Sequence, residues 1–506
     1  MKAKEQIQAA VILSYANMLL GLLISFLYTP FMLRILGKSE YGLYNIAASF
    51  VGYLGLLDFG FSSAYIRFFS QYHVKKDTEG LAKLNGTFTL LFTIIGLFVL
   101  ITGGILILNL DVFFGKKLTI DELQKTKHLV AILVVNLALS FPFQIFSSYM
   151  NAREKFVYQR LLQLLKTMVN PLLAILLMLA GYQSFALVAA IVTVNMSINI
   201  VNMVYAIYKL HITISFRKME TRFAKEIAGF SGFIFINMVV DEINWNVDKM
   251  LLGSFSGTTA VAVYSLAGQI NSYYKSISTS VSNVFSPKIH RMVLEEDDAA
   301  LTNIFTRVGR IQFMLLSAVL LGVCFWGKYF ILLWGGKGYE DAFPILLILM
   351  FAVTIPLMQN LGIEIQRAKN MHQFRSFAYL LIALLNIFLS IPLCKRFEGI
   401  GCSIGTAVSL VIGNGWIMNW YYSKKMKLDI RYFWSQILKI LPALIFPLVY
   451  GMVVTTIFPV NSVVTFIIEL VLFLGLFVWS LHSLGMNEEE KQLFYNLINK
   501  VRNLKK

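Results

Sequence analysis

Ionisable and amide side chains recur at helical spacing inside an otherwise apolar stretch near the middle of the chain. Four of them share one narrow helix face, at i, i+4, i+7 and i+11: Asn237, Asp241, Asn244 and Asp248. A second face beside it carries three more: Glu242, Asn246 and Lys249. Because an ionised group at the centre of a bilayer costs at least about 2.5–3.5 kcal/mol, such groups should face protein or water. The pattern predicts a helix that lines a polar interior, where carboxylates would bind a proton or a cation such as Na⁺.

The next apolar stretch, 259–286, has the same character. One of its faces is polar and has an ammonium group beside it: Ser265, Gln269, Ser272, Ser276 and Lys275. Lys275 has the charge to neutralise Asp241 or Glu242. Two interpretations are open, namely a structural acid–lysine pair with interhelical hydrogen bonds, or a lining for a cavity. Under the second interpretation, Gln269 and Lys275 are candidate site residues.

Fewer charges lie in the apolar stretches of the first half of the chain. Asp58 precedes Arg67 by nine residues, and Arg34 follows the first apolar stretch. Either arginine has the charge to bind an anionic headgroup. The alternative is that both arginines extend to the membrane interface, as long basic side chains commonly do.

Fourteen apolar runs, each long enough to cross a bilayer, must position these groups. A bilayer core about 30 Å thick requires roughly 20 apolar residues per helix, and backbone groups in lipid must form their hydrogen bonds internally. Of the 506 residues, 57% are hydrophobic. We place the spans at 11–33, 43–66, 88–108, 129–150, 161–180, 185–208, 227–252, 259–286, 311–334, 342–364, 377–394, 399–422, 437–457 and 461–484. The sequence therefore predicts an all-α polytopic membrane protein without a large soluble domain.

The position of the basic residues predicts the orientation of the chain in the membrane. The net charge of +17 is concentrated in the tails and even-numbered connections, which hold thirty Lys and Arg against nine in the odd-numbered connections. Because positively charged short loops stay cytoplasmic, both termini should face the cytoplasm. The charge is thus a topology signal, and we predict no nucleic-acid partner.

No ATP-binding or catalytic pattern interrupts the spans. The segment Gly37-Lys38-Ser39 is only a fragment of a phosphate-binding loop, because Met32 stands where its first glycine is needed. The six histidines and three cysteines form no metal-ligand or redox spacing. We predict that the chain is not an enzyme and has no catalytic residue, no metal site and no cofactor.

A weak internal repeat, offset by 220 residues, predicts two copies of a six-helix unit. Three residues recur at this offset: Gly37, Tyr44 and Ala47 as Gly257, Tyr264 and Ala267. We divide the chain into six-helix lobes at 1–210 and 211–426, two extra helices at 427–485, and an amphipathic cytoplasmic tail at 486–506. Six spans per copy preserve orientation, so the pseudo-symmetric lobes would be parallel repeats about an axis normal to the membrane. Chance matching between apolar sequences is the alternative.

Nearly the whole chain resembles the polysaccharide exporters of the multidrug/oligosaccharidyl-lipid/polysaccharide (MOP) superfamily, whose bacterial members are Wzx-type flippases. Four segments carry the resemblance: Arg34-Ile35-Leu36-Gly37, Tyr41-Gly42-Leu43-Tyr44, Leu57-Asp58-Phe59-Gly60-Phe61-Ser62-Ser63-Ala64 running to Arg67, and Asp248-Lys249-Met250-Leu251-Leu252-Gly253 ahead of Tyr264. The resemblance implies a flippase that moves an undecaprenyl-diphosphate-linked oligosaccharide across the bacterial cytoplasmic membrane, by alternating access of two six-helix lobes. Its partners would be this lipid-linked substrate, membrane lipids and polysaccharide assembly proteins.

The acidic groups of the seventh span differ from the cationic cavity that members of this family often have. They fit two further expectations. Asp241, Glu242 and Asp248 would couple transport to H⁺ or Na⁺, or the chain is a multidrug cation antiporter of the same superfamily. A membrane glycosyltransferase or oligosaccharide polymerase is a third alternative, disfavoured by short outer connections.

Overall fold

All regular structure in the described part of the chain is helical, as the hydropathy pattern predicts. The computed structural model describes residues 3–216, 235, 238–240, 242–243, 246–295, 297–369 and 371–503, and no strand occurs among them. Three predicted site residues, Asn237, Asp241 and Asn244, lie outside the described residues.

Long helices follow one another with short connections. The first part of the chain forms α1 (Ala3–Gly55), α2 (Phe61–Val74), α3 (Thr78–Leu108), α4 (Leu110–Phe114), α5 (Ile120–Ala152), α6 (Phe156–Leu179), α7 (Gln183–Val204) and α8 (246–255). The remainder forms α9 (Thr258–Leu294), α10 (Asp298–Gly335), α11 (Ala342–Met358), α12 (Leu361–Ala368), α13 (His372–Leu410), α14 (Asn419–Lys424), α15 (Ile430–Leu438), α16 (Leu441–Ile457), α17 (Val463–Ser480) and α18 (Glu488–Asn503).

Several of these helices begin at a side-chain cap. The Asp77 carboxylate accepts the backbone N–H of Gly80 at the start of α3. Thr119 and Glu122 form a reciprocal capping box at the start of α5, in which each side chain accepts the other residue's backbone N–H. Because the first N–H groups of a helix have no partner within it, such residues define where each span begins.

The two longest helices each contain a break, so each covers two predicted spans. Gly37 in α1 has φ 71°, and Glu398 in α13 has φ 49°. A third interruption separates α1 from α2, where Phe59 and Gly60 both have positive φ. Glycine adopts this left-handed conformation without a steric penalty, which explains the turn at Gly37.

Nine helices in the described residues are long and apolar enough to cross a membrane, or ten if the bent pair α11 and α12 forms one span. This count treats α1 with α2, and α13 with α14, as single helices. The predicted number of fourteen therefore stays a prediction, whereas the all-α polytopic class is confirmed.

Large apolar side chains cover much of the outer surface. Leu27, Phe388 and Trp416 are each more than 70% exposed, within a much larger set of exposed apolar residues. A soluble protein rarely exposes contiguous apolar patches of such extent, because their hydration is unfavourable. The surface therefore fits a lipid environment, and the chain is a multi-pass membrane protein.

The chain forms two compact units. Unit 1 contains Met1–Ser265 and Ala383–Cys402, and unit 2 contains Leu266–Ile382 and Ser403–Lys506. In unit 2, apolar side chains form one core around Phe305 and Phe433. Unit 1 holds most of the predicted site residues, including every described residue of the seventh span.

Candidate functional site

Three polar side chains of the seventh span form one hydrogen-bonded chain in unit 1. Asn246 Nδ2 donates to Glu242 Oε1 at 2.7 Å, and Lys249 Nζ donates to Asn246 Oδ1 at 3.2 Å. The spacings are i, i+4 and i, i+3, so helical periodicity places these groups on one face. This amide bridges a carboxylate and an ammonium group, which lets opposite charges lie near each other within an apolar bundle.

Asp248 lies beside this chain and is bound from the neighbouring helix. The Tyr264 hydroxyl of α9 donates a hydrogen bond to Asp248 Oδ2, and the two residues are only 2% and 5% exposed. A buried carboxylate requires such a donor, because leaving its charge unsolvated would be costly. Lys249 is near enough for its charge to interact with those of Asp248 and Glu242.

A close approach of α1 completes the cluster. A Cβ atom at Gly52 would collide with Glu242 Oε1 and lie 3.7 Å from Asn246 Nδ2, so a larger residue there would push the carboxylate aside. The adjacent Tyr53 hydroxyl is buried, lacks a hydrogen-bond partner among the described residues, and is near enough to interact with the charges of Glu242 and Asp248. The arrangement offers carboxylate, amide, ammonium and phenol groups, the types that bind cations and sugar hydroxyls.

Asp58 has a local structural role. It lies in the interruption between α1 and α2, where its carboxylate accepts the backbone N–H of Gly60 and the Ser62 hydroxyl, the latter at 3.3 Å. Gln144 Nε2 of α5 in turn donates to Ser62 Oγ at 3.0 Å. Asp58 thus bonds to the residue that precedes α2 and to a hydroxyl group of its first turn, at a helix start that lies inside an apolar run.

The remaining candidates belong to α1, α2 and α9. Arg34 and Arg67 are exposed on unit 1. Gln269 and Lys275 are half-buried on α9 within unit 2, where Gln269 Nε2 donates to the Tyr273 hydroxyl at 2.9 Å. The choice between pairing and cavity lining for Lys275 therefore stays a prediction.

A family model described as "Polysaccharide biosynthesis protein" matches residues 31–344. The chain belongs to this polysaccharide biosynthesis protein family. The putative O-antigen transporter of Shigella flexneri is similar to this chain in sequence. The two are 19% identical over 400 residues, which cover 78% of this chain and 92% of the relative.

Solved structures show the same fold at low identity. The lipid II flippase MurJ in an inward closed conformation matches with a TM-score of 0.71 and 16% identity, over 97% of this chain and 99% of that chain. A multidrug resistance MATE family transporter of the MOP superfamily matches with a TM-score of 0.64 and 13% identity, over 80% of this chain and 97% of that chain. Family and fold confirm the resemblance stated from the sequence, and with it the expectation of a transporter rather than an enzyme.

Sequence reasoning missed the residues of other helices that contact the polar groups of the seventh span. Gly52 and Tyr53 carry no charge and lie in an apolar run, so nothing in their pattern marks them as neighbours of span 7. The sequence analysis named Tyr264 only as a repeat match and as the residue that follows the Asp248–Gly253 segment. Glu122 was detectable in part, because Thr119 and Glu122 have the spacing of a capping box.

Proposed function

We propose that this protein is a flippase that moves an undecaprenyl-diphosphate-linked oligosaccharide across the bacterial cytoplasmic membrane for surface polysaccharide synthesis. The family match over residues 31–344 carries the proposal, and the putative O-antigen transporter and the MurJ-like fold support it. In this proposal both termini face the cytoplasm, since the basic residues are concentrated in the tails and even-numbered connections.

The substrate keeps its lipid tail in the bilayer while its headgroup passes a polar interior between the lobes. Asn246 and the Tyr53 hydroxyl are suited to sugar hydroxyl groups, and Lys249 has the charge for an anionic headgroup. Arg34 and Arg67 would meet the same headgroup at the membrane surfaces, and Gln269 and Lys275 would line the path further. One of the acidic groups is already bound within the protein, because Asp248 accepts a hydrogen bond from Tyr264.

Reconstituted vesicles test the function directly. The purified protein is placed in vesicles with a fluorescent polyprenyl-diphosphate oligosaccharide, and a membrane-impermeant quencher reports the fraction in the outer leaflet. We expect the protein to make the inner pool accessible much faster than in protein-free vesicles. Equal rates with and without protein would contradict the proposal.

Coupling to H⁺ or Na⁺ is part of the proposal and rests on the acidic groups Asp241, Glu242 and Asp248. A carboxylate inside a membrane bundle commonly marks an ion pathway. Asp241→Asn and Glu242→Gln should each change the dependence of translocation on pH or Na⁺ concentration. Unchanged dependence in both variants would remove the coupling.

A second candidate function is export of cationic drugs. The buried carboxylates of span 7 favour it, and a MATE transporter shares the fold. Deletion of the gene distinguishes the two functions. Drug sensitivity with intact surface polysaccharide would favour drug export, and loss of polysaccharide with unchanged drug sensitivity would favour the flippase.

A further inference from the structure

A carboxylate in the first turn of α5 joins three separate stretches of unit 1. Glu122 Oε1 accepts hydrogen bonds from Ser39 Oγ at 2.6 Å and from Thr258 Oγ1 at 2.9 Å. Its other oxygen accepts the backbone N–H of Thr119 at 3.0 Å. Glu122 thus connects the residues after the α1 break and the first residue of α9 to the start of α5.

The backbone around Thr258 is packed against α1 without intervening side chains. A Cβ atom at Gly42 would lie 2.1 Å from the Thr258 carbonyl oxygen, and one at Gly253 would lie 2.8 Å from the Phe114 ring. Thr258 is 6% exposed. The Glu122–Thr258 hydrogen bond is therefore partly buried and lies at a direct backbone contact between α1 and α9.

A second polar network lies beside the first but stays within 1–210. Glu40 pairs with Lys125 at 2.5 Å and accepts the Ser184 hydroxyl at 2.6 Å. This network joins α1, α5 and α7, all of which belong to the predicted first lobe. Of the two carboxylates, Glu122 is the one that reaches Thr258, a residue of the predicted second lobe.

We propose that the Glu122–Thr258 hydrogen bond is a latch that opens in every transport cycle, with Glu122 as its positioning residue. The proposal rests on the proposed function, because alternating access requires the contacts between 1–210 and 211–426 to break on one side at a time. In the proposed orientation the latch lies on the outer side and closes the path toward the outer leaflet. Its hydroxyl donors suit this role, since such bonds exchange with water at a modest net cost.

Trapping the closed state in the full-length protein tests the latch. Ser39→Cys and Thr258→Cys are combined and treated with a short bifunctional thiosulfonate, because both native hydroxyls bond to one oxygen atom. We expect a cross-link that abolishes translocation in the vesicle assay and is reversed by a reductant. Translocation at the wild-type rate by cross-linked protein overturns the latch, and failure to cross-link does so too, since the residues would not be neighbours.

The controls separate the latch from the proposed function. Each single cysteine variant carries the same three native thiols and reports any effect of the reagent alone. Mass spectrometry measures the cross-link without reference to transport. If the wild-type protein does not translocate the substrate, the proposed function fails; if the wild type and the cross-linked variant both translocate it, only the latch fails.

A second measurement needs no cross-link. Thr258→Val removes the hydroxyl and keeps the side-chain shape, whereas Ser184→Ala removes a hydroxyl from the Glu40 network and serves as the matched control. With Ser39→Cys as a reporter, an impermeant maleimide added from the outer side should label the Thr258→Val protein several times faster and leave the Ser184→Ala rate unchanged. Equal labelling of both variants overturns the proposal.

Discussion

Removal of the charge at Glu490 should release the last helix, α18, from unit 2. Arg310 donates from Nε and Nη2 to the two Glu490 oxygens at 2.7 and 2.8 Å, and its terminal nitrogens also donate to the carbonyl oxygens of Gln436 and Gly485. The side chains of Arg310 and Glu490 are 4% and 2% exposed. Because breaking a buried pair leaves an uncompensated charge, we expect Glu490→Gln to weaken the docking of α18 by about 3 kcal/mol.

Hydrogen exchange of the α18 backbone amides measures this change. A loss of about 3 kcal/mol raises the undocked population, and hence the exchange rate, about 100-fold. Glu489→Gln at the adjacent position is the matched control. Glu489 pairs with Arg307 at 3.2 Å, and their side chains are 69% and 42% exposed, respectively. An exposed pair contributes at most about 1 kcal/mol, so the control should change exchange less than about sixfold. Equal exchange in the two variants would refute the assignment of Arg310–Glu490 as the anchor of α18.

Three further predictions concern the polar groups of unit 1 and their neighbours. Tyr264→Phe should lower stability by about 1.5–3 kcal/mol and slow translocation, because the buried Asp248 loses a charge-assisted hydrogen bond; unchanged thermal unfolding would contradict this role. Gly52→Ala should lower the unfolding temperature and slow translocation, because the added methyl group forces the Glu242 carboxylate aside. Adding Glu242→Ala to this variant should restore the unfolding temperature, since the two substitutions share one contact. Asp58→Ala should lower stability by about 1 kcal/mol through the lost hydrogen bonds to Gly60 and Ser62, while Asp58→Asn should keep most of the wild-type stability because its amide oxygen still accepts them; equal unfolding temperatures for these two variants would contradict this role.

Hydropathy predicts the class of this fold because a bilayer leaves the backbone few alternatives. Every lipid-facing backbone group must bond within its own segment, so long apolar runs must be helices. The same rule does not reveal where a helix is interrupted. The break before α2 lies in an apolar run, and it depends on the left-handed conformations of Phe59 and Gly60 and on the hydrogen bonds that Asp58 accepts from Gly60 and Ser62.

Helical periodicity predicted which polar groups share a face but not which groups oppose them. Glu242, Asn246 and Lys249 are connected as their spacing requires. Their neighbours across helices depend on the packing of elements that are distant in sequence, such as Gly52. The same limit applies to Arg310 and Glu490, which lie 180 residues apart and show no pattern that pairs them.

The two predicted repeats differ in charge at matching positions. At the offset of 220 residues, Tyr28 corresponds to Asp248, and Tyr44 corresponds to Tyr264. Tyr28 and Tyr44 are near enough to interact electrostatically, and Tyr264 donates a hydrogen bond to Asp248, so the residues at these two positions lie near each other in both predicted copies. Chance matching of apolar sequences would not be expected to preserve a spatial pairing. The phenol at the second position, Tyr44 or Tyr264, supplies the hydrogen-bond donor that a buried carboxylate needs. Aspartate can therefore replace tyrosine at the first position and introduce a charge without a change in the helix packing. The acidic character of the second half is therefore compatible with the fold that both halves share.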